Sequence, residues 1–510
     1  MAPRLSQKTW MLLVAFVAIA LYLPTLGFDF VYDSAIQIRI DDFIHQPRHF
    51  ADVLSLRVLG MDVLDFNRPV NLFTLLVDSL LWGQNPAGYR MTNLLLHGAT
   101  AALLFRWLRI MTGHLWPALL ATLLFAVHPL HCETVVEVGY REDLLATLFL
   151  LAGLNSATAF APGEKGKAWG PALLTVASLF LSVASKESGS IGPAILVVFW
   201  MLFRRGNPQI QRAWGLLIAS TTLAVGAFLA LRFAWEPKPS LIFDAAAPAL
   251  APLGLEWLFI QVTIWASECL RIVWPAHLCA DYGPYNTRNI DPGLALCGFF
   301  VLGIIAAFFS IQNRKVALAS ALFCIALLPV SNVVPIFRPM ADRYLYMPMT
   351  GIALLVALAL AGLRSGATRK LAATATLAGI VTLSAVTLHQ QQTWRDAAAL
   401  WQETARQNPL SFNAWLGRGD ACLDRGQPEE ALRYFQQAAT LSHEKCAEAF
   451  AGLTLANDAL GRPEAAAKSL ARATELDSRY ARPDTLVRAL MFPDYQARRF
   501  TIIARSASQL

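Results

Sequence analysis

The chain has 510 residues, of which 56% are hydrophobic and only 15% charged, with a mean hydropathy of +0.46. That balance excludes an ordinary soluble protein and requires a polytopic membrane one, with lipid as the solvent for most of the fold. The formal net charge of +7 is not the mark of a nucleic-acid binder, because the basic residues fall in short clusters between apolar runs and so report topology.

Runs of about 17 to 25 apolar residues match the length of a bilayer-crossing helix. In chain order they lie near 10–26, 89–108, 115–130, 144–161, 169–184, 189–203, 213–233, 293–311, 316–334, 345–363 and 371–388. The first is no cleavable signal, since no small-residue cleavage site follows it. A further run, 255–274, carries Glu256, Glu268 and Arg271 and reads as a span, a re-entrant segment or an interfacial helix. The positive-inside rule arbitrates. Arg4 and Lys8 place the N-terminus in the cytoplasm, and Arg106 with Arg109, Lys165 with Lys167, and Arg204, Arg205 and Arg212 follow. With 255–274 not crossing, Arg314-Lys315 and Arg364, Arg369 and Lys370 also fall inside. About eleven spans are expected, with the C-terminus in the periplasm of a bacterial inner-membrane protein or in the secretory lumen.

This parity gathers the unusual charges on the outer face: Asp29 and Asp33, the long 34–88 segment, His128 to Asp143, Ser185-Lys186-Glu187, 234–254, Asp281-Tyr282, and Arg338 to Tyr346. A carrier or channel would more often scatter them near the midplane. Asp29 and Asp33 follow directly on the first apolar run. An ionisable group at a membrane mouth is costly unless it lines a wet cavity or meets a partner, so the pair reads either as a chemical site or as a helix stop.

From about Trp394 the composition turns to Ala, Arg, Gln and Glu with helical periodicity. Trp415, Gly426, Ala431 and Ala438 recur 35 residues later as Phe450, Gly461, Ala466 and Ala473. That is the pattern of tetratricopeptide helix pairs, closed by Pro483, whose stacking builds a concave surface for extended peptides. Residues 1–390 are expected to form a membrane domain. Residues 391–510 are expected to form a helical repeat domain that packs on it or on a partner. Of the seven cysteines, Cys132, Cys269, Cys279, Cys297 and Cys324 lie in or beside apolar runs without metal-ligand spacing, and Cys422 and Cys446 in the tail are expected to stay unbridged.

Several separate strings then match one family. They are Phe30-Val31-Tyr32-Asp33, Asn67-Arg68-Pro69, Leu81 to Arg90 with Asn93 to His97, His128-Pro129-Leu130-His131-Cys132-Glu133, and Gly139 to Leu145. Ser185-Lys186-Glu187-Ser188, Leu328 to Asn332 and Asp342 to Pro348 complete them. On these strings the chain resembles the transmembrane, tetratricopeptide-repeat-containing O-mannosyltransferases and their bacterial relatives among the type-C membrane glycosyltransferases. The resemblance implies an all-α polytopic membrane fold that transfers a sugar from a polyprenyl-phosphate donor to an acceptor on the outer face. The acceptor is a protein hydroxyl, a glycan or a lipid.

In that reading Asp33 matches the catalytic acid of the first external loop, and Asp29 is the candidate for a second carboxylate. Relatives often carry two consecutive acids here, whereas this chain has Asp33-Ser34. The leaving phosphate develops charge that fixed cations stabilise. The candidates are Arg141, Lys186, Arg68 and Arg343, with Arg338 beside them. His128, His131, Glu133, Glu187 and Tyr346 are expected to orient substrate. No metal or other cofactor is expected beyond the lipid-linked sugar as co-substrate, and no nucleic-acid partner. The rival reading is a non-catalytic scaffold whose repeats recruit partners for envelope glycan or pilus assembly, with a flippase or transporter third.

Overall fold

The computed structural model describes residues 5–161, 168–203, 208–235, 254–283, 313–333, 336, 338–364 and 366–481, together with 293, 298, 500 and 503. Its helices before the repeats are α1 (Gln7–Tyr22), α2 (Tyr32–Arg39), α3 (His49–Leu54), α4 (Pro69–Trp82), α5 (Pro86–Thr112), α6 (Leu115–Ala126), α7 (Cys132–Val136) and α8 (Arg141–Ala159). They continue as α9 (Trp169–Ser185), α10 (Gly192–Phe203), α11 (Pro208–Trp235), α12 (Leu255–Val273), α13 (Arg314–Leu327), α14 (Met349–Gly362) and α15 (Gly366–Gln391). No strand occurs among the described residues.

Each expected span coincides with one of these helices, apart from 293–311, of which only 293 and 298 are described; the clusters at Lys165 and Arg204 and residues 236–253 lie outside the described residues. By length and composition, four stretches among the described residues could cross a membrane: Gln7–Gly27, Pro86–Thr112, Pro208–Trp235 and Gly366–Trp394. A fifth is α6 with Pro129–Val136, bent by 51°. The eleven crossings read from the sequence therefore include short helices such as α10, with 12 residues.

Lipid offers no hydrophobic gain for bringing helices together, so close packing must do it, and small residues permit it. A Cβ on Gly98 of α5 would lie 2.9 Å from the Ile19 side chain of α1, and one on Gly351 of α14 would lie 2.7 Å from the Ala319 carbonyl of α13. Local sequence sets the ends: Asn85 caps α5 by accepting the Ala87 N–H at 3.1 Å, with Pro86 at the first helical position.

The 34–88 segment is a folded cap. Ile38, Phe43, Val53, Val58, Leu72, Leu75 and Leu76 form its own core, sealed by Phe30, Tyr89 and Val138. On α12, Glu268 and Arg271 are buried, and Arg271 lies 3.4 Å from Asp342 and stacks on Tyr282.

The tail forms α16 (Ala397–Gln407), α17 (Phe412–Asp424), α18 (Pro428–Leu441), α19 (Ala447–Ala459) and α20 (Pro463–Leu476). Gly426 and Gly461 turn the chain at φ +70° and +67°, a conformation costly to other residues, and Pro428 and Pro463 then open the next helices. The 35-residue spacing is this turn repeated. Phe435 fills the space over Gly419 and Gly452, locking one repeat to the next. Cys422 and Cys446 are both free. The repeats pack on the membrane-embedded part: the Asn408 amide donates to the Asp281 carbonyl at 3.1 Å, and His277 Nδ1 meets Gln407 Oε1 at 2.9 Å. Pro483 lies outside the described residues.

Candidate active site

After α1 the chain makes a 3-10 turn at Leu23–Gly27, runs extended through Phe28 to Val31, and enters α2. Five hydrogen bonds clamp this segment around Asp33. The buried Arg90 guanidinium of α5 donates to the carbonyls of Phe28 and Asp29. The Asp29 N–H donates to the Arg395 carbonyl at 3.0 Å, and the Ser34 N–H donates to Glu137 Oε1 at 2.7 Å. The Ser34 hydroxyl folds back to the Val31 carbonyl at 2.8 Å.

Tyr32, immediately before Asp33, has φ +55°, a strained value for a side chain of its size. Its ring holds it there, packed against Trp401 at 5.2 Å, Tyr140 at 6.0 Å and Trp394 at 6.4 Å. The Arg338 guanidinium lies over the same ring at 4.8 Å. The outcome is an exposed Asp33 on a turn held at both ends. Asp29 is half-exposed and paired with Arg39, and its Oδ1 also accepts the Phe30 N–H.

The cation candidates separate sharply. Arg141 is wholly buried and committed: it pairs with Asp78 at 2.5 Å and donates to Asn93 at 2.7 Å, the Tyr89 carbonyl at 2.9 Å and Thr74 at 3.2 Å. It ties α8 to α4 and α5. Lys186 is likewise buried against Asp143 at 2.5 Å, with Glu142 at 3.6 Å. Arg68 joins Asp65 at 2.8 Å, Glu142 at 3.2 Å and Glu187 at 3.6 Å. Glu187 also takes Arg232 at 3.0 Å and the Asn67 amide at 3.0 Å. Lys186, Arg68 and Glu187 thus form one charge network between the cap, α8 and α11. Burial pushes the Asp65 carboxyl up to about 6, although Arg68 pulls the other way.

Arg343 pairs with Glu133, whose Oε2 also accepts the Arg343 N–H at 2.9 Å. Its guanidinium stacks on Tyr140 at 4.0 Å and Tyr344 at 5.0 Å. Glu133 therefore holds Arg343 through both carboxylate oxygens. His128 is buried, with Nε2 on the Ile272 carbonyl at 2.9 Å and Nδ1 accepting the Leu130 N–H at 3.3 Å. His131 is buried between Phe125 and Tyr346, and the Tyr346 hydroxyl meets His97 Nδ1 at 2.8 Å. His128, His131 and Tyr346 thus pack within the bundle. Among the described residues, no three His, Cys, Asp or Glu side chains gather as a metal ion would require.

Sequence reasoning gave no site role to Glu137, Arg90, Asp78, Tyr32 or Asp281, although Asp281 was among the outer-face charges. Arg90 was visible as an arginine inside an apolar run, and Tyr32 lies in the Phe-Val-Tyr-Asp string itself. Glu137 carried no signal, because only folding brings it to Ser34.

These features define an all-helical integral membrane protein with a repeat domain beside a carboxylate-centred site. The tetratricopeptide-repeat family model matches residues 385–442 and 423–481. The chain is similar to protein O-mannosyl-transferase TMTC3 of Homo sapiens, with 24% identity over 467 residues covering 84% of this chain and 50% of the relative. It is also similar to protein O-mannosyl-transferase F38B6.6 of Caenorhabditis elegans, at 26% identity over 84% of this chain and 62% of that one. The chain spans about half the length of the TMTC3 relatives it matches. Among solved structures, ArnT from Cupriavidus metallidurans bound to undecaprenyl phosphate matches with TM-score 0.45 and 14% identity, covering 91% of this chain and 80% of that one. The S. cerevisiae Pmt1–Pmt2 complex bound to the sugar donor matches with TM-score 0.35 and 17% identity, covering 50% and 39%. The resemblance read from the motifs thus extends along most of the chain.

Proposed function

We propose that this chain is a membrane glycosyltransferase that moves a sugar from a polyprenyl-phosphate donor to an acceptor hydroxyl on the outer face of a bacterial inner membrane. In this reading the N-terminus is cytoplasmic and the repeats are periplasmic. Residues 1–390 carry the chemistry and 391–510 present the acceptor. The observation that carries it is Asp33: an exposed carboxylate on a clamped turn, where Arg141, Lys186 and Asp78 are buried and paired.

Asp33 takes the proton of the acceptor hydroxyl as that oxygen attacks the anomeric carbon, the role a positioned base fills. The bond from that carbon to the phosphate oxygen breaks with its electron pair, and the lipid phosphate leaves. Arg338 over Tyr32 and Arg343 over Tyr140 supply the nearby positive charge that offsets the developing anion. Mannose, or another hexose, is the sugar suggested by the names of the relatives, and a protein Ser or Thr hydroxyl is the corresponding acceptor.

The test is transfer of label from radiolabelled polyprenyl-phosphate sugars to candidate acceptors by the purified protein and by Asp33→Asn. Transfer by the wild type and its loss in the variant are expected. Equal transfer by both, or none by the wild type with any donor, overturns the mechanism and leaves the scaffold reading, which Ser34 in place of a second acid favours.

A further inference from the structure

The repeat domain meets the membrane-embedded part at a buried carboxylate rather than through an apolar patch alone. Asp281 is 8% exposed. Its Oδ2 accepts from the Ser411 hydroxyl at 2.5 Å and the Asn413 amide at 3.1 Å. Ser411 is also the N-cap of α17, accepting the Ala414 N–H at 3.0 Å. The first repeat helix therefore begins on Asp281. The other oxygen, Oδ1, faces Arg338 Nη1 at 3.7 Å, and the same nitrogen donates to the Ala280 carbonyl at 3.4 Å. Arg338 lies over the Tyr32 ring, and Tyr32 also packs on Trp401 of α16. Two routes, one polar and one aromatic, thus run from the repeat domain to the residue preceding Asp33.

We infer that the docked repeat domain is a built part of the active site, and that Asp281 is a positioning residue that holds Arg338 and Tyr32 beside Asp33. The physical reason is the placement of charge. A buried carboxylate needs a counter-charge and donors, and here the side-chain donors come from the repeats, the Gly283 N–H adds one from the same loop at 3.4 Å, and the counter-charge comes from the site. Loss of either side shifts the other. Tyr32 is held in a strained backbone conformation by its ring contacts, so a shift in Arg338 or Trp401 releases the turn that presents Asp33. Acceptor seating on the repeats and proton removal at Asp33 are then coupled through a few side chains. This inference rests on the transferase reading given above.

Asp281→Asn keeps the shape and one acceptor oxygen for Ser411 but removes the charge that holds Arg338. In the full-length protein it is expected to lower kcat about tenfold or more while leaving the KM for the lipid-linked sugar unchanged, since small misplacements of catalytic groups cost rate rather than donor binding. Asp281→Glu is expected to restore part of the loss. Ser411→Ala is expected to weaken kcat less, and its effect is expected to shrink in the Asp281→Asn background, because both act through one contact. Hydrogen exchange of residues 29–34 supplies a readout that needs no turnover, and Asp281→Asn is expected to speed it. Wild-type kcat per folded molecule in Asp281→Asn, with melting lowered or not, overturns the inference while leaving the transferase reading intact. If the wild type transfers no sugar, the reading fails by itself, and unchanged exchange at 29–34 in Asp281→Asn then overturns the positioning role separately.

Discussion

The backbone N–H of Ser34 donates to the buried carboxylate of Glu137 at 2.7 Å, so the residue that follows Asp33 is fastened to the turn between α7 and α8. Gly139 donates to the same oxygen at 3.3 Å. Burial pushes the Glu137 carboxyl up to about 8, against the opposing effect of the Ser34 hydrogen bond, with Asp33 adding to the rise and Arg90 opposing it. The folded protein therefore binds more protons than the unfolded chain from the ordinary glutamate range up to about pH 8. Stability is expected to fall as pH rises through that window, by an amount on the order of a few kcal/mol. Glu137→Gln removes this dependence. Melting curves of the two proteins in detergent from pH 5 to 9 check it, and parallel curves refute it.

Asp33→Asn and Asp29→Asn are expected to behave differently. The first is expected to lower transfer by about 10²-fold or more, the range for a lost general base. The second removes an exposed pair with Arg39 and is expected to cost less than about 1 kcal/mol of stability, with transfer changed only a few-fold. Single-turnover rates with one labelled donor compare them directly.

Arg141 and Asp78 form a buried pair, so removing one partner strands the other charge. Arg141→Leu is expected to destabilise the protein by about 3–5 kcal/mol, and Asp78→Asn in the same chain to recover part of that. Thermal unfolding of the single and double variants measures the coupling. A phosphate-binding Arg141 would instead raise the donor KM at unchanged stability.

Gly139 marks how closely the two turns approach. A Cβ there would lie 3.1 Å from the Asp33 Cβ, 3.1 Å from Glu137 Oε1 and 3.2 Å from the Ser34 nitrogen. Gly139→Ala is expected to displace Asp33 by tenths of an ångström and to lower kcat more than stability, which a paired measurement of transfer rate and melting temperature tests.

Much of the architecture was legible because its causes are local. Gly426 and Gly461 with the prolines that follow announce the repeat, and the apolar runs announce the helices they become. Asp33 stands out in the sequence as a carboxylate directly after a span, which reads as a chemical site or a helix stop. The cations were not legible. Arg141 and Arg343 look equivalent along the chain, yet Asp78, 63 residues before Arg141, consumes one of them, while Glu133 turns the other toward Tyr140. His128 and His131 resemble a polar site in sequence, but the bend after α6 turns both into the bundle. Hydrophobic periodicity assigns faces to helices and leaves open which buried charge meets which.

The hydrogen bond from the Asp29 N–H to the Arg395 carbonyl also bears on synthesis. A ribosome delivers residue 29 long before residue 395, and Trp394 and Trp401, which brace Tyr32, are equally late. The turn bearing Asp33 therefore takes its final shape only once nearly the whole membrane-embedded part has been made and the repeats have begun to fold. A nascent or truncated chain that stops short of Arg395 carries Asp33 without the contacts that fix its turn.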